Sequence, residues 1–142
     1  MKEFGRSCEK FLREIFKFSG RLSRQKYALL NRKLFCIGVL FLTGTFVLDI
    51  FLEYNPGYVL LSSALKAVKI IFWLSIWISL MGMAVRRLHD RGSSGWKIVM
   101  PIIISIVTDL IIVWIIYYFV LGRLEGTDGA NKYGDKPSDD ED

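Results

Sequence analysis

The chain is poor in the residues that build metal centres and disulfide frameworks: its 142 residues include two cysteines, one histidine and three prolines. Cys36 lies inside an apolar run and Cys8 far ahead of it, so we expect no disulfide between them. A structural zinc site needs about four nitrogen or sulfur ligands, and the acidic residues of the tail lack the spacing of a calcium loop. The sequence therefore predicts no metal ion and no cofactor.

Charge is sparse in three long stretches, 34–52, 58–85 and 96–121, and the whole chain is 52% hydrophobic with a mean hydropathy of +0.35. At about 1.5 Å per helical residue, each stretch can cross a hydrocarbon core of roughly 30 Å. Pro56 and Gly57 mark a turn after the first stretch. We therefore expect an all-α membrane protein with three transmembrane helices within residues 21–122.

Residues 1–20 have a different pattern, in which Phe4, Phe11 and Ile15 recur at helical spacing and lysines and arginines take the other faces. This pattern predicts an amphipathic helix lying in the membrane interface. The alternative is a solvated helix that packs its apolar stripe on the protein's own loops. We expect no secretory signal here, because no small-residue cleavage site follows the charged segment. Residues 123–142 form a polar, partly disordered tail by composition.

The net charge of +5 is unevenly distributed, because lysines and arginines crowd the front of the chain and the turn at 86–97. By the positive-inside rule, both segments are predicted to be cytoplasmic. Three spans would then place the tail on the opposite side. A re-entrant third segment would return the tail to the cytoplasm, but the absence of a central glycine argues against it. Basic charge beside apolar spans points to anionic lipid as a partner, and no nucleic-acid module is present.

The densest polar block between the apolar stretches is 84–96, where three arginines flank a Gly-Ser-Ser-Gly turn that opens the next helix. Free N–H groups and the helix dipole attract anions to helix N-termini, so a lipid phosphate could dock there, helped by two arginines of the N-terminal motif. The candidate anion-binding or lipid-binding residues are Arg21, Arg24, Arg86, Arg87, Arg91 and Ser94. The alternative is that the arginines are anchors at the membrane edge and Ser94 is a helix N-cap.

His89 and Asp90 stand side by side in this block and invite an acid–base interpretation. Neighbours in sequence rarely face each other on a helix, and the turn contains no second carboxylate and no evident nucleophile. We therefore expect structural pairing, with Asp90 bound to Arg21 or Arg24 at the cytoplasmic face.

Among the polar residues inside the apolar stretches, five are candidates for an intramembrane role: Thr43, Asp49, Lys69, Ser75 and Asp109. Ionisable groups at membrane depth are costly and usually face the protein interior. Asp49 and Lys69 have equal predicted depth and can pair. We expect Asp109 to face the helix bundle near Ser75 and Thr43 or Thr45, either as a structural acid or as a proton or cation site.

Three ordered motifs resemble one bacterial family: FSGRLSRQKY at 18–27, RRLHD at 86–90 with SGW at 94–96, and GTDGANKYGDKP at 126–137. The chain resembles the domain-of-unknown-function family 805 of small inner-membrane proteins. The resemblance implies an integral inner-membrane protein and supplies no activity. The extended basic N-terminal helix departs from the family core.

The sequence as a whole favours a non-enzymatic inner-membrane protein that binds anionic lipid headgroups, or a membrane partner, through its arginine-rich cytoplasmic face. A second copy of the chain is a possible partner. The alternative function is a small transport or ion-conducting subunit that uses Asp109. A third is a lipid-modifying enzyme that uses His89.

Overall fold

The computed structural model describes residues 2–55 and 57–137, and within them the chain is helical apart from short turns and the tail. The five α-helices are α1 (Lys2–Ile15), α2 (Arg24–Glu53), α3 (Val59–Asp90), α4 (Val99–Thr108) and α5 (Ile111–Arg123), with a 3-10 helix at Gly95–Ile98. Gly20 has a positive φ of 84° between α1 and α2. The Ser23 hydroxyl accepts a hydrogen bond from the Lys26 N–H and caps α2, as expected for this residue type.

Helices α2 and α3 pack against each other as the long hairpin of the fold. They contain 30 and 32 residues and are the two described helices long and apolar enough to cross a membrane. Their outward faces carry exposed large apolar side chains such as Phe35, Leu40 and Ile70, which in lipid are already in an apolar solvent. The first two predicted spans are confirmed as continuous helices of this kind.

The third apolar stretch is not one helix, so the prediction of three continuous transmembrane helices is wrong. Asp109 adopts the left-handed conformation, with φ 53° and ψ 19°, and separates α4 from α5. Aspartate tolerates this conformation better than most non-glycine residues, so no central glycine is needed for the reversal. With 10 and 13 residues, α4 and α5 are only about 15 and 20 Å long, a length typical of re-entrant rather than spanning segments.

Helix α5 returns the chain to the end of the hairpin where α2 begins. The Tyr27 hydroxyl donates to the Tyr118 carbonyl at 3.2 Å, and the Tyr118 hydroxyl donates to Asn31 Oδ1 at 2.8 Å. The Leu124 carbonyl, just after α5, accepts from Arg87 near the end of α3. The expected placement of the tail at the opposite end is therefore wrong for residues 124–137, and the expected disorder of 138–142 lies outside the described residues.

Helix α1 packs against this same end of the hairpin. Phe11 and Ile15 join a buried apolar cluster with Leu22, Tyr27, Leu30, Leu34 and Met83. Gly82 allows a close approach, because a Cβ there would lie 3.1 Å from the Lys17 carbonyl oxygen. The apolar stripe of α1 thus packs partly on the protein itself. Leu12 and Phe16 remain exposed, so the position of α1 in the membrane interface stays a prediction.

The return of the tail generates a topology prediction. In a Cys8→Ser, Cys36→Ser background, single cysteines at Ser7 and Ala130 should react with an impermeant maleimide from the same side of the membrane. A cysteine at Gly57, in the turn between α2 and α3, should react from the other side, because one helix long enough to span the membrane separates it from each of the other two positions, α2 from Ser7 and α3 from Ala130. Reaction of Ser7→Cys and Ala130→Cys from opposite sides would restore a three-span topology.

Candidate functional site

A buried ionic cluster closes the end of the hairpin near α1, and we call Arg21, Arg87 and Asp90 the arginine cap. Asp90 Oδ1 accepts from Arg21 Nε at 3.0 Å, and Asp90 Oδ2 accepts from Arg87 Nη1. The side chains of Arg21, Arg87 and Asp90 are 2%, 1% and 5% exposed, respectively. The predicted pairing of Asp90 with Arg21 is confirmed, whereas Arg24 lies 3.9 Å from the exposed Glu125.

The two arginines of the cap also bind the backbone of the tail. Arg21 donates to the Gly129 carbonyl at 2.6 Å and to the Thr127 carbonyl at 2.7 Å. Arg87 donates to the carbonyl oxygens of Leu22 and Leu124. Carbonyl dipoles therefore compensate the second positive charge that the single carboxylate leaves unbalanced. Charged hydrogen bonds of this kind are stronger than neutral ones, so the cap fixes the position of the tail.

The tail approaches Asp90 closely at Gly126, where an added Cβ would overlap the Asp90 carboxylate. The Asp90 carbonyl accepts from both the Thr127 N–H and the Thr127 hydroxyl at 2.9 Å. Asn131 donates to the His89 carbonyl at 3.0 Å. Gly129 has a positive φ of 76° that allows the tail to turn. The glycine-rich tail motif is therefore a docking segment for the end of α3.

His89 is held between the N-terminal motif and the tail. Its ring stacks on Tyr133 with centroids 3.9 Å apart and planes 10° from parallel, and its Nδ1 lies 3.2 Å from the Gly20 carbonyl oxygen. In the chain as described, no carboxylate or hydroxyl forms a hydrogen bond with the His89 ring. The contacts agree with structural pairing, and the absence of an enzymatic role stays a prediction.

Arg86 joins α3 to α1 through Glu14. Its guanidinium donates to the Glu14 carbonyl at 2.9 Å and to Glu14 Oε2 at 3.0 Å. Partial burial on its own would raise the pKa of Glu14, but the charge and hydrogen bond of Arg86, with Lys26 and Lys17, hold that pKa below its ordinary value. Glu14 is therefore ionised at neutral pH and secures the end of α1.

The structure divides the six candidate anion-binding residues into two groups. Counted as whole residues, backbone included, Arg21, Arg86 and Arg87 are 8%, 4% and 0% exposed, and they donate to groups within the protein. Arg24 and Arg91 are more exposed. Ser94 accepts from the Trp96 N–H at 3.4 Å as the N-cap of the 3-10 helix. Anion binding by the exposed members stays a prediction, and the buried members act in the fold.

The polar residues that were predicted to lie at membrane depth also fall into two groups, those with the predicted contacts and those without them. Lys69 forms the predicted ion pair with Asp49 near the far end of the hairpin. Asp109 is exposed at the tip between α4 and α5, so the predicted inward orientation is wrong. The hydroxyls of Thr43 and Ser75 instead donate to carbonyls one turn earlier on their own helices. Neither hydroxyl forms a hydrogen bond with Asp109.

Sequence reasoning missed the contacts of the tail and of α5. Thr127, Asn131 and Tyr133 lie in the segment that the composition indicates only as a polar tail, and the three glycines among them, Gly126, Gly129 and Gly134, are the available signal of a folded turn. Tyr27, Asn31 and Tyr118 form a hydrogen-bonded group between α2 and α5.

Two long apolar helices closed at one end by a buried ionic cap define a small helical membrane protein. The chain belongs to the DUF805 family, a family of proteins of unknown function whose family model matches residues 15–135. It is similar to inner membrane protein YhaI of Escherichia coli strain K12 and of Escherichia coli O157:H7, with 25% identity over 127 residues that cover 89% of this chain and 90% of each relative. No solved structure matches.

These similarities confirm the family resemblance and identify a small inner-membrane protein of unknown function. The match covers the first two motifs that meet at the arginine cap and residues 126–135 of the third, because the matched range is 15–135. The cap is thus part of the family region, whereas most of α1 precedes it.

The cap generates a stability prediction. Asp90→Asn removes the carboxylate between two buried guanidinium groups, and breaking a buried pair in this way costs about 3–5 kcal/mol. Thermal unfolding in mild detergent should show this loss, and backbone amides of 124–134 should exchange faster with deuterium. Arg24→Gln is the matched control, since its pair with Glu125 is exposed and contributes roughly 0–1 kcal/mol. Equal losses from the two changes would contradict the cap.

A second prediction separates tail docking from charge. Gly126→Ala keeps every charge but places a methyl group against the Asp90 carboxylate, so the tail must move away from α3. We expect faster deuterium exchange in 124–134 and a smaller loss of thermal stability than in Asp90→Asn. Ala130→Ser, at an exposed position of the same tail, is the control. Unchanged exchange in Gly126→Ala would mean that the tail does not dock on Asp90.

Proposed function

We propose that this inner-membrane protein has no catalytic role and binds anionic lipid headgroups at the cytoplasmic leaflet through basic side chains that the arginine cap leaves free. The proposal is supported by a division among the arginines at this end of the helices. Some are buried and bind groups within the protein, and others are exposed. Family membership and the similarity to inner membrane protein YhaI support a location in the inner membrane, and the ligand class is our own inference.

The observation that carries the proposal is an excess of unpaired positive charge at this end. Five of the acids there are engaged in ion pairs, namely Glu9–Arg13, Glu14–Arg86, Asp90–Arg21, Glu125–Arg24 and Asp128–Lys136. By contrast, the side chains of Arg32 and Arg123 are exposed, with no hydrogen bond or ion pair to any residue that the structure describes. Ligand phosphates are the natural partners of such guanidinium groups.

The position of these charges supports a lipid rather than a soluble anion. They lie where α2 begins and α5 ends, next to apolar side chains that face outward. Anionic lipids give the cytoplasmic leaflet a negative surface potential that attracts each nearby lysine or arginine by about 1 kcal/mol. The same charges set the orientation by the positive-inside rule, so orientation and lipid binding would use one surface.

The two alternatives raised by the sequence have less support. A proton or cation site at Asp109 needs neighbouring polar groups to complete a pathway, yet Asp109 is exposed at the tip between α4 and α5. An enzymatic role for His89 needs a nucleophile or a second acid near a ring that instead stacks on Tyr133. The exposed apolar faces of α2 and α3 are also available for contact with a membrane partner or a second copy of the chain.

The proposal predicts selective, salt-sensitive lipid retention. Protein reconstituted in nanodiscs that contain equal phosphatidylglycerol and phosphatidylcholine, then extracted in mild detergent, should retain phosphatidylglycerol several-fold over phosphatidylcholine in native mass spectra. Extraction in about 0.5 M salt should reduce this preference, because the Debye length falls to a few ångströms. Equal retention of the two lipids at low salt would contradict the proposal, and a net ion flux in proteoliposomes would favour transport.

A further inference from the structure

A cleft of about 650 Å³ opens between α2, α3 and α5, a volume within the roughly 300–1,000 Å³ of typical ligand sites. Its walls are almost entirely apolar and include Phe35, Val39 and Leu42 of α2 and Trp73 and Ile76 of α3. A cleft lined in this way, on helices that face lipid, has the chemistry of a hydrocarbon-binding site.

The mouth of the cleft is positively charged. Arg32 of α2 and Arg123 of α5 both line it and are exposed. The neighbouring polar groups are already satisfied, because Asn31 donates to the Tyr27 carbonyl and accepts from the Tyr118 hydroxyl. Two guanidinium groups are therefore the free polar partners at the mouth, and guanidinium binds phosphate with two parallel hydrogen bonds.

The depth of the cleft matches one leaflet of a bilayer. Along α2 the lining runs from Tyr27 to Leu42, and the part between Arg32 and Leu42 is about 15 Å long at the rise of an α-helix. Half of a hydrocarbon core of roughly 30 Å is the same length. A ligand with its phosphate at the mouth would thus extend one acyl chain to the middle of the membrane.

We infer that this cleft binds an anionic phospholipid of the cytoplasmic leaflet, with one acyl chain between α2, α3 and α5 and the phosphate between Arg32 and Arg123. This inference deepens the proposed function and rests on it, because it assigns the lipid and its position. The charge at the mouth selects an anionic headgroup over a zwitterionic one, and the apolar depth selects a hydrocarbon chain over a soluble anion. The second acyl chain stays in the surrounding bilayer.

Gly38 provides a direct test of chain binding. It lines the cleft, and an added Cβ there would meet nothing within 4 Å, so Gly38→Leu should fill the cleft without disturbing the helices. Leucine is also a better helix former than glycine. The matched control is Gly44→Leu on the same helix, where a Cβ also meets open space but the cleft is absent. Arg32→Gln with Arg123→Gln tests headgroup binding.

In native mass spectra of protein from the mixed nanodiscs, wild type and Gly44→Leu should retain one phosphatidylglycerol per chain. Gly38→Leu should retain at least several-fold less, and the double glutamine variant should lose the preference over phosphatidylcholine. Thermal unfolding in detergent should be similar for the two leucine variants, which confirms that both fold.

The outcomes separate this inference from the proposed function. If Gly38→Leu retains as much lipid as Gly44→Leu while the salt-sensitive preference persists, the cleft assignment is wrong and surface binding stands. If the double glutamine variant keeps its preference, the headgroup position is wrong. Recovery of a single-chain lipid or fatty acid in place of a phospholipid would overturn the assigned ligand. Loss of all lipid preference in the wild type would contradict both proposals.

Discussion

The Asp90 carboxylate is the constraint on which the rest of this structure depends. The side chain that carries it is 5% exposed and lies between two guanidinium groups, and a buried charge is tolerated only when its partners are in place. Arg21 comes from the segment before α2, Arg87 from α3, and the Thr127 and Gly129 carbonyls from the tail. Three distant segments must therefore meet at one end of the hairpin.

This constraint also determines the path of the third apolar stretch. Since the tail must reach Asp90, the chain between α3 and the tail has to leave and return at the same end. Helices α4 and α5 achieve this with a reversal at Asp109, and α5 then packs along the start of α2 through Tyr27 and Tyr118. The return of α5 completes the cleft, because Tyr118, Phe119 and Arg123 form its third wall. The cap and the cleft are consequences of one chain path.

Features that depend on burial depth or on charge balance were predictable from the sequence. Two continuous apolar runs predicted α2 and α3, equal depth predicted the Asp49–Lys69 pair, and a lone acid among arginines predicted the pairing of Asp90 with Arg21. Hydropathy does not distinguish one spanning helix from two short helices, so the break at Asp109 was not predictable. The partners of Arg21 in the tail are backbone carbonyls, which every residue carries and no sequence pattern reveals.

The arginines illustrate why residue type alone does not assign a role. Guanidinium groups near a membrane edge can bind lipid, but each donor already bonded to a carbonyl or carboxylate would have to give up that bond first. Arg21 and Arg87 are engaged in this way and are buried, so they serve folding. Arg32 and Arg123 line the cleft at the same end of the helices, and neither has a hydrogen bond or ion pair within residues 2–55 and 57–137. Changes in the first pair should therefore destabilise the protein, whereas changes in the second should alter what it binds while leaving the fold intact, and this separation makes the ligand accessible to mutagenesis.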